Sequence, residues 1–259
     1  MSDLLNSLLR DHTCLYASFD DGPDADVSRG DGRATFNSDV VRHVADAGRC
    51  GGGLVFDAKD HGWAEDEFTF PARDNFPYRE SCFAGTVSMW LRGDPDANLN
   101  DEFPVDPFHV SRHAADGSFY LDLTRPNDWR YGSPRKLRFG IYGDSPAQDM
   151  FVGGQLLVVG ELGWNDGNWH HIVGTWQNAN SGQDNGTAAV YIDGVRRATM
   201  EGYRHQLTWD IDALTIGLGQ RYVGAIDELL ILDVSLPEDC IRQLSERDTS
   251  LRNVLQGGD

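Results

Sequence analysis

Apolar and polar positions alternate with a period of two through much of the chain, the pattern of half-buried strands. In residues 86–92, Val87, Met89 and Leu91 form one set, and Trp90 and Arg92 the other. In 118–123, Phe119, Leu121 and Leu123 oppose Tyr120 and Asp122. In 136–142, Leu137, Phe139 and Ile141 oppose Arg138 and Tyr142. In 188–193, Val190 and Ile192 oppose Tyr191. Further strands are predicted at 155–159, 169–176, 213–216 and 225–232. In the last, Leu229 and Ile231 alternate with Leu230 and Leu232, so both faces are apolar and the strand belongs inside a sheet. Asp193-Gly194 is a hairpin turn signal. Many strands separated by turn residues predict an all-β sandwich.

Helical periodicity is confined to the ends. Residues 1–12 read as a short helical arm, and 13–259 as a single domain with no internal repeat or composition shift. Ser235 and Glu238 have capping-box spacing, with Pro237 in the first turn. Leu236, Cys240, Ile241 and Leu244 then share one face, predicting a helix at about 236–247. Three stretches read as long loops: the acidic 20–32, the irregular 57–82 with Trp63 and Glu65, and the Asp/Pro/Asn-rich 93–107.

Several segments, in order, resemble a known family. Leu15-Tyr-Ala-Ser-Phe-Asp20, Gly51-Gly-Gly-Leu-Val-Phe56 and Thr86-Val-Ser-Met-Trp-Leu91 resemble its opening strands. Asn168-Trp-His-His-Ile-Val173 and Val190-Tyr-Ile-Asp-Gly194 resemble its Trp-His-His-Val and Tyr-Val-Asp-Gly motifs. Gly224-Ala-Ile-Asp-Glu-Leu-Leu and the helix after it resemble its C-terminus. The family is the laminin-G-like jelly-roll domains of the concanavalin A-like lectin/glucanase superfamily. The resemblance spans roughly residues 14–247 and implies a two-sheet antiparallel jelly-roll β-sandwich with a short C-terminal helix. It also suggests an extracellular or cell-surface setting, although the first residues show no signal peptide.

Composition narrows the partners. The chain has 32 Asp and 9 Glu against 20 Arg and 2 Lys, a net charge of −19. Asp favours turns, where its carboxylate accepts local backbone N–H groups. Nucleic acid is disfavoured, because phosphate neutralisation needs a basic face. No apolar run approaches a membrane span. Cys14, Cys50, Cys82 and Cys240 lack metal-ligand spacing. Cys14 and Cys240 read as small buried residues, and Cys50 and Cys82 border strands that could approach each other.

Two groups of residues are candidates for chemistry. Asp20 ends the first strand beside the acidic 21–26 loop, and Asp227 lies on the last strand. First and last strands of a jelly roll commonly neighbour each other, so the two carboxylates could share a calcium, which takes oxygen ligands; the resemblance points the same way. The alternative is that both accept backbone N–H groups in turns. The second group is the outward set Trp90, Tyr120, Asp122, Arg138, Tyr142 and Tyr191, whose aromatic faces, carboxylate and guanidinium suit sugar rings. Cross-strand pairing of aromatics is the competing explanation. Trp129, Tyr131 and Trp164 lie in loops, where rim aromatics bind or pack as lids. His170 and His171 are adjacent on a strand, face opposite sides and cannot share one metal.

The predicted function is a non-catalytic carbohydrate-binding module with a glycan or polysaccharide partner and a structural calcium. The tight paired-carboxylate strand of the superfamily's glucanases is not present. The alternatives are a diverged glycoside hydrolase or lyase using Asp122 or Glu161, and a structural or adhesive domain that binds protein.

Overall fold

The computed structural model describes residues 3–60, 67–97, 102–110, 119–141, 156–165, 167–204 and 206–257, with the side chains of Ile141 and Leu156 excepted. Helix α1 (Asp3–His12) leads directly into β1 (Thr13–Ala17). Short strands β2 (Val27–Ser28), β3 (Thr35–Phe36) and β4 (Val41–Val44) precede β5 (Gly53–Asp57) and β6 (Phe68–Pro71). Then come β7 (Phe83–Arg92), β8 (Val105–Val110), β9 (Phe119–Leu123), β10 (Leu137–Ile141) and β11 (Leu156–Val159). The remaining strands are β12 (His170–Ala179), β13 (Gly186–Ile192), β14 (Val195–Tyr203), β15 (Thr215–Gln220) and β16 (Val223–Leu232). Helices α2 (Glu238–Ser245) and α3 (Arg252–Leu255) close the chain.

Among the described residues every strand pairing is antiparallel, and the strands divide into two sheets. The first runs β14-β13-β12-β7-β16-β1-β2, with β5 also on β16 and β4 on β5; the second runs β11-β10-β9-β8-β15-β6-β3. This is the predicted jelly-roll sandwich. Six strands are marked neither by the alternation nor by the resemblance: β2, β3, β4, β6, β8 and β14. Four of them have only two to four residues, too few to show a period. Residues Val195–Tyr203 are largely exposed, with Ala198, Met200 and Tyr203 only partly buried against the core.

The inward sets are as the alternation predicts. Val87, Met89, Leu91, Phe119, Leu121, Leu123, Leu137, Phe139, Val190 and Ile192 all lie in the core between the sheets. At its centre is Trp176, fully buried. Its ring stacks on Phe76 at 5.7 Å and meets Phe119 edge-on at 4.5 Å. Gly85, its partner across β7 and β12, is the reason the indole can lie flat. A Cβ there would come within 2.2 Å of Trp176 Cζ2.

A second, smaller core covers the outer face of the first sheet. Leu5 and Leu9 of α1, and Cys240, Ile241 and Leu244 of α2, pack with Tyr16, Val173, Tyr191, Leu230 and Leu232. The double-sided apolar pattern of β16 thus has its cause: one face meets the sandwich core, the other the helices. Helix α2 starts later than the capping-box spacing predicts. Pro237 is its N-cap, with no side-chain cap, and Glu238 and Asp239 in the first turn face the positive end of the helix dipole. Pro237 fits there because that position leaves its N–H unused in any helix.

Candidate functional site

Strand β16 is forked. Its first half, Val223–Ile226, pairs with β5, and its second half, Leu229–Leu232, pairs with β1. The bulge between them is Asp227-Glu228, and Glu228 takes a φ of 53° there. Asp20, just beyond β1, and Asp227 therefore reach one place, the Gly-rich turn that leads into β5. The neighbouring of first and last strands that the sequence predicts is real.

What the two carboxylates do there is cap that turn. Asp227 Oδ2 accepts from the backbone N–H of Arg49 at 2.6 Å and of Cys50 at 3.1 Å. Asp20 Oδ1 accepts from Gly52 N–H at 3.2 Å. The glycines are needed because both acids press against this backbone: a Cβ at Gly51 would meet Asp20 Oδ1 at 2.2 Å. Burial pushes Asp227 up to about 8, against the donors from Cys50 and Arg49. Burial also raises Glu228 to about 7, although its Oε2 accepts from Tyr16 Oη at 2.8 Å and Leu251 N–H at 3.3 Å.

The acidic loop is likewise occupied by the protein's own donors. Arg252 pairs with Asp21 at 2.5 Å and Asp26 at 2.9 Å across a cleft of about 390 Å³. Asp26 Oδ2 accepts from Ser18 N–H, and Asp24 Oδ1 from Ala34 N–H. Among the described residues no group of three or more His, Cys, Asp or Glu side chains is arranged to hold a metal. Several of the oxygens expected around a calcium thus accept backbone N–H groups or pair with one guanidinium, whereas Asp227 Oδ1 is buried with no hydrogen-bond partner.

The outward aromatic set does not form one platform. Trp90 and Tyr191 lie on the first sheet; Tyr120, Asp122 and Arg138 lie on the second; Tyr142 lies outside the described residues. The alternation assigns the face of a strand correctly but says nothing about which sheet the strand joins. Tyr191 is buried beneath the helical layer. Trp90 is half-buried, with the Arg49 guanidinium 4.9 Å from its ring centroid and the His171 ring 4.9 Å away. Both line a cavity of about 20 Å³ with Ser88, Cys50 and Glu228, beneath Leu244 and Arg247. His171 accepts or donates one bond, with Ser88 Oγ at 2.8 Å, and burial lowers its pKa to about 4, so it is neutral. His170 faces away, stacked on Trp164 at 5.0 Å and bonded to Asp193 at 2.9 Å.

On the second sheet three of the six do meet. Asp122 and Arg138 are cross-strand partners. Arg138 holds both Asp122 oxygens, Nε to Oδ1 at 2.8 Å and Nη2 to Oδ2. Its guanidinium lies 5.9 Å from the Tyr120 ring and 5.8 Å from Tyr131. Asp122 and Tyr120 are buried, whereas Arg138 keeps a partly open side chain. Burial raises the Asp122 carboxyl against the pull of Arg138, and raises neighbouring Asp106 to about 7 with the Asp122 charge adding to it. Glu161 is exposed, at a φ of 55°, beyond β11.

Residues 124–134 connect β9 to β10 as an ordered hairpin above this pair. Asp128 Oδ1 accepts from Arg130 N–H at 2.9 Å and Tyr131 N–H at 3.3 Å, and the Asp128 carbonyl accepts from Gly132 N–H at 2.7 Å. Asn127 Oδ1 accepts from Ser133 Oγ at 2.9 Å. The hairpin displays Trp129 at 70% exposure, with Arg130 4.5 Å from its ring centroid. Its rim position was legible in the sequence; its exposure was not. All four cysteines are free: Cys14 and Cys240 are buried, Cys82 sits beside Asn178, and Cys50 beside Asp227.

Similar architectures occur among solved structures. One is domain 4 of AbnA, a GH43 extracellular arabinanase from Geobacillus stearothermophilus, in complex with arabinotriose. It matches at a TM-score of 0.57 and 18% identity, over 91% of this chain and all of that one. The receptor binding domain of botulinum neurotoxin type G matches at 0.59 and 11% identity, over 91% of this chain and 51% of its own. The binding domain of Paraclostridial Mosquitocidal Protein 1 matches at 0.57 and 12%, over 93% and 52%. The chain thus spans about half of each toxin domain, and at these identities the likeness is one of fold. No curated protein matches the sequence. A family model, Laminin_G_3 of the concanavalin A-like lectin/glucanases superfamily, matches residues 64–242, more than half of the sequence, and this chain belongs to that family.

Proposed function

We propose that the protein is a carbohydrate-binding module whose ligand is received at the β9–β10 hairpin. The observation that carries this reading is Trp129, an indole 70% exposed on a loop locked by its own hydrogen bonds. A rigid aromatic face loses little conformational entropy when a sugar ring stacks on it. Arg138, held in place by Asp122 and 5.8 Å from the Tyr131 ring of the same hairpin, supplies donors for sugar hydroxyls, so Asp122 acts as a positioning residue. The arabinotriose bound by the similar arabinanase domain supports a glycan as the ligand class.

Isothermal titration against a glycan panel tests this. Trp129→Ala is expected to weaken binding roughly tenfold or more, the scale of a Trp anchor, with an unchanged melting midpoint. Trp90→Ala, on the other sheet beneath Arg49, is the control and leaves affinity intact. A Trp129→Ala protein that binds as well as the parent refutes the site.

The calcium expected at Asp20 and Asp227 is part of this proposal, supported by the buried Asp227 Oδ1 that has no hydrogen-bond partner. Melting midpoints are therefore expected to be higher in calcium than in chelator. A ligand bound only by the folded state at about 100 times its dissociation constant would add roughly 2.7 kcal/mol, so equal midpoints would remove the metal from this site.

A further inference from the structure

An acidic chain carries its densest run of bases at this hairpin. Residues 124–138 contain Arg125, Arg130, Arg135, Lys136 and Arg138 against a single acid, Asp128, in a protein of net charge −19. Internal acids account for part of that charge. Asp122 holds Arg138, and Asp128 lies 3.8 Å from Arg125. Arg135 is buried and donates to the Thr124 carbonyl.

Lys136 is different. It stands at the hairpin base, where its carbonyl accepts from Thr124 N–H, and its side chain runs along Gly160. A Cβ at Gly160 would meet Lys136 Cδ at 3.2 Å and Nζ at 3.3 Å. The same glycine's carbonyl accepts from Arg197 Nη2 at 3.5 Å. Two cations, one just before β10 and one on β14, thus converge on one glycine, and neither has an acidic ion-pair partner among the described residues. Like charges so placed repel unless an anion joins them.

We propose, resting on the carbohydrate reading, that the glycan bound here is anionic. Its carboxylate or sulfate lies between Lys136 and Arg197 while another ring of the same chain stacks on Trp129. Lys136 stands seven residues beyond Trp129, at most about 23 Å at roughly 3.3 Å per residue, so a ligand that reaches both is an oligosaccharide. The protein's overall negative field repels polyanions, but at physiological salt it is screened beyond about 8 Å. An anion is therefore taken only when the stacked ring brings it close.

The test titrates the protein with four probes at low and at threefold higher salt. They are a neutral arabino-oligosaccharide, an oligogalacturonate, a sulfated oligosaccharide and polyglutamate. One anionic sugar series is expected to bind at least tenfold tighter than the neutral one. It should lose tenfold or more in the double variant Lys136→Gln/Arg197→Gln and also weaken with salt. The uronate and sulfate arms identify the anion. Neutral sugars binding as tightly, with no effect of the double variant, overturn this inference and leave the carbohydrate reading standing. Polyglutamate binding as tightly as the sugars reduces the site to general charge and also overturns it. If no glycan binds, both readings fail.

Discussion

Stability towards denaturant is expected to peak near pH 5 and to decline as the pH is raised to 9. The cause is the bulge in β16, where Asp227 and Glu228 are adjacent and buried. Burial raises Asp227 to about 8 and Glu228 to about 7, above their usual values of 3.8 and 4.5. The folded state therefore holds protons that the unfolded chain releases. The stabilisation from these protons is complete below about pH 4 and is lost as the pH rises through 7 and 8. Each unit of raised pKa corresponds to about 1.4 kcal/mol, so the loss is on the order of a few kcal/mol. On the acid side other carboxylates take over. Although burial opposes it, bonds from Arg29 and His12 hold Asp233 below its usual value, and bonds from His170 and the His171 N–H do the same for Asp193. Their contribution disappears as they are protonated, below about pH 4.

Asp227→Asn separates the bulge from the charge of the whole surface. The amide oxygen can still accept from Arg49 and Cys50, and no charge is buried. The variant should match the parent near pH 5 and exceed it by about 2 kcal/mol at pH 9. Urea unfolding at constant ionic strength across that range reads both. An undiminished decline in the variant would move the effect away from Asp227, to the other raised carboxyls, Asp106 and Glu228, or to surface repulsion.

Trp176→Ala is expected to cost about 3–5 kcal/mol, the range for deleting a fully buried large aromatic. The indole meets Phe76, Phe83 and Phe119 at once, and no neighbour can fill its place without leaving its own. Gly85→Ala should destabilise for the converse reason, since the new methyl would fall within 2.2 Å of the ring. The two changes are coupled. Once Trp176 is removed, the methyl has room, and the double variant should cost less than the sum of the singles. Additive values from guanidinium unfolding would show that the glycine and the indole are not matched.

Trp176 and Gly85 also show how far local pattern reaches. Alternation in β7, β9, β10 and β13 sorted inward from outward residues correctly, because a strand's side-chain period is a property of its own backbone. The family motifs gave the fold for the same reason: each is a strand or turn whose chemistry is local, as in Asp193-Gly194. Asp20 and Asp227 were correctly brought together by the pairing of β1 and β16. The sequence left open whether they hold calcium or accept backbone N–H groups, since the donors lie in a turn about 30 residues beyond Asp20 and about 180 before Asp227.

Only the tertiary structure divided Trp90 and Tyr191 from Tyr120, Asp122 and Arg138, because sheet membership follows from long-range pairing that no single strand encodes. It also placed α1 and α2 over the first sheet, turning an apparently outward Tyr191 into core. And it drew Lys136 and Arg197, far apart in sequence, onto Gly160. A net charge is a sum over the whole chain; the field a ligand meets is set by the few side chains that folding brings within a screening length of it.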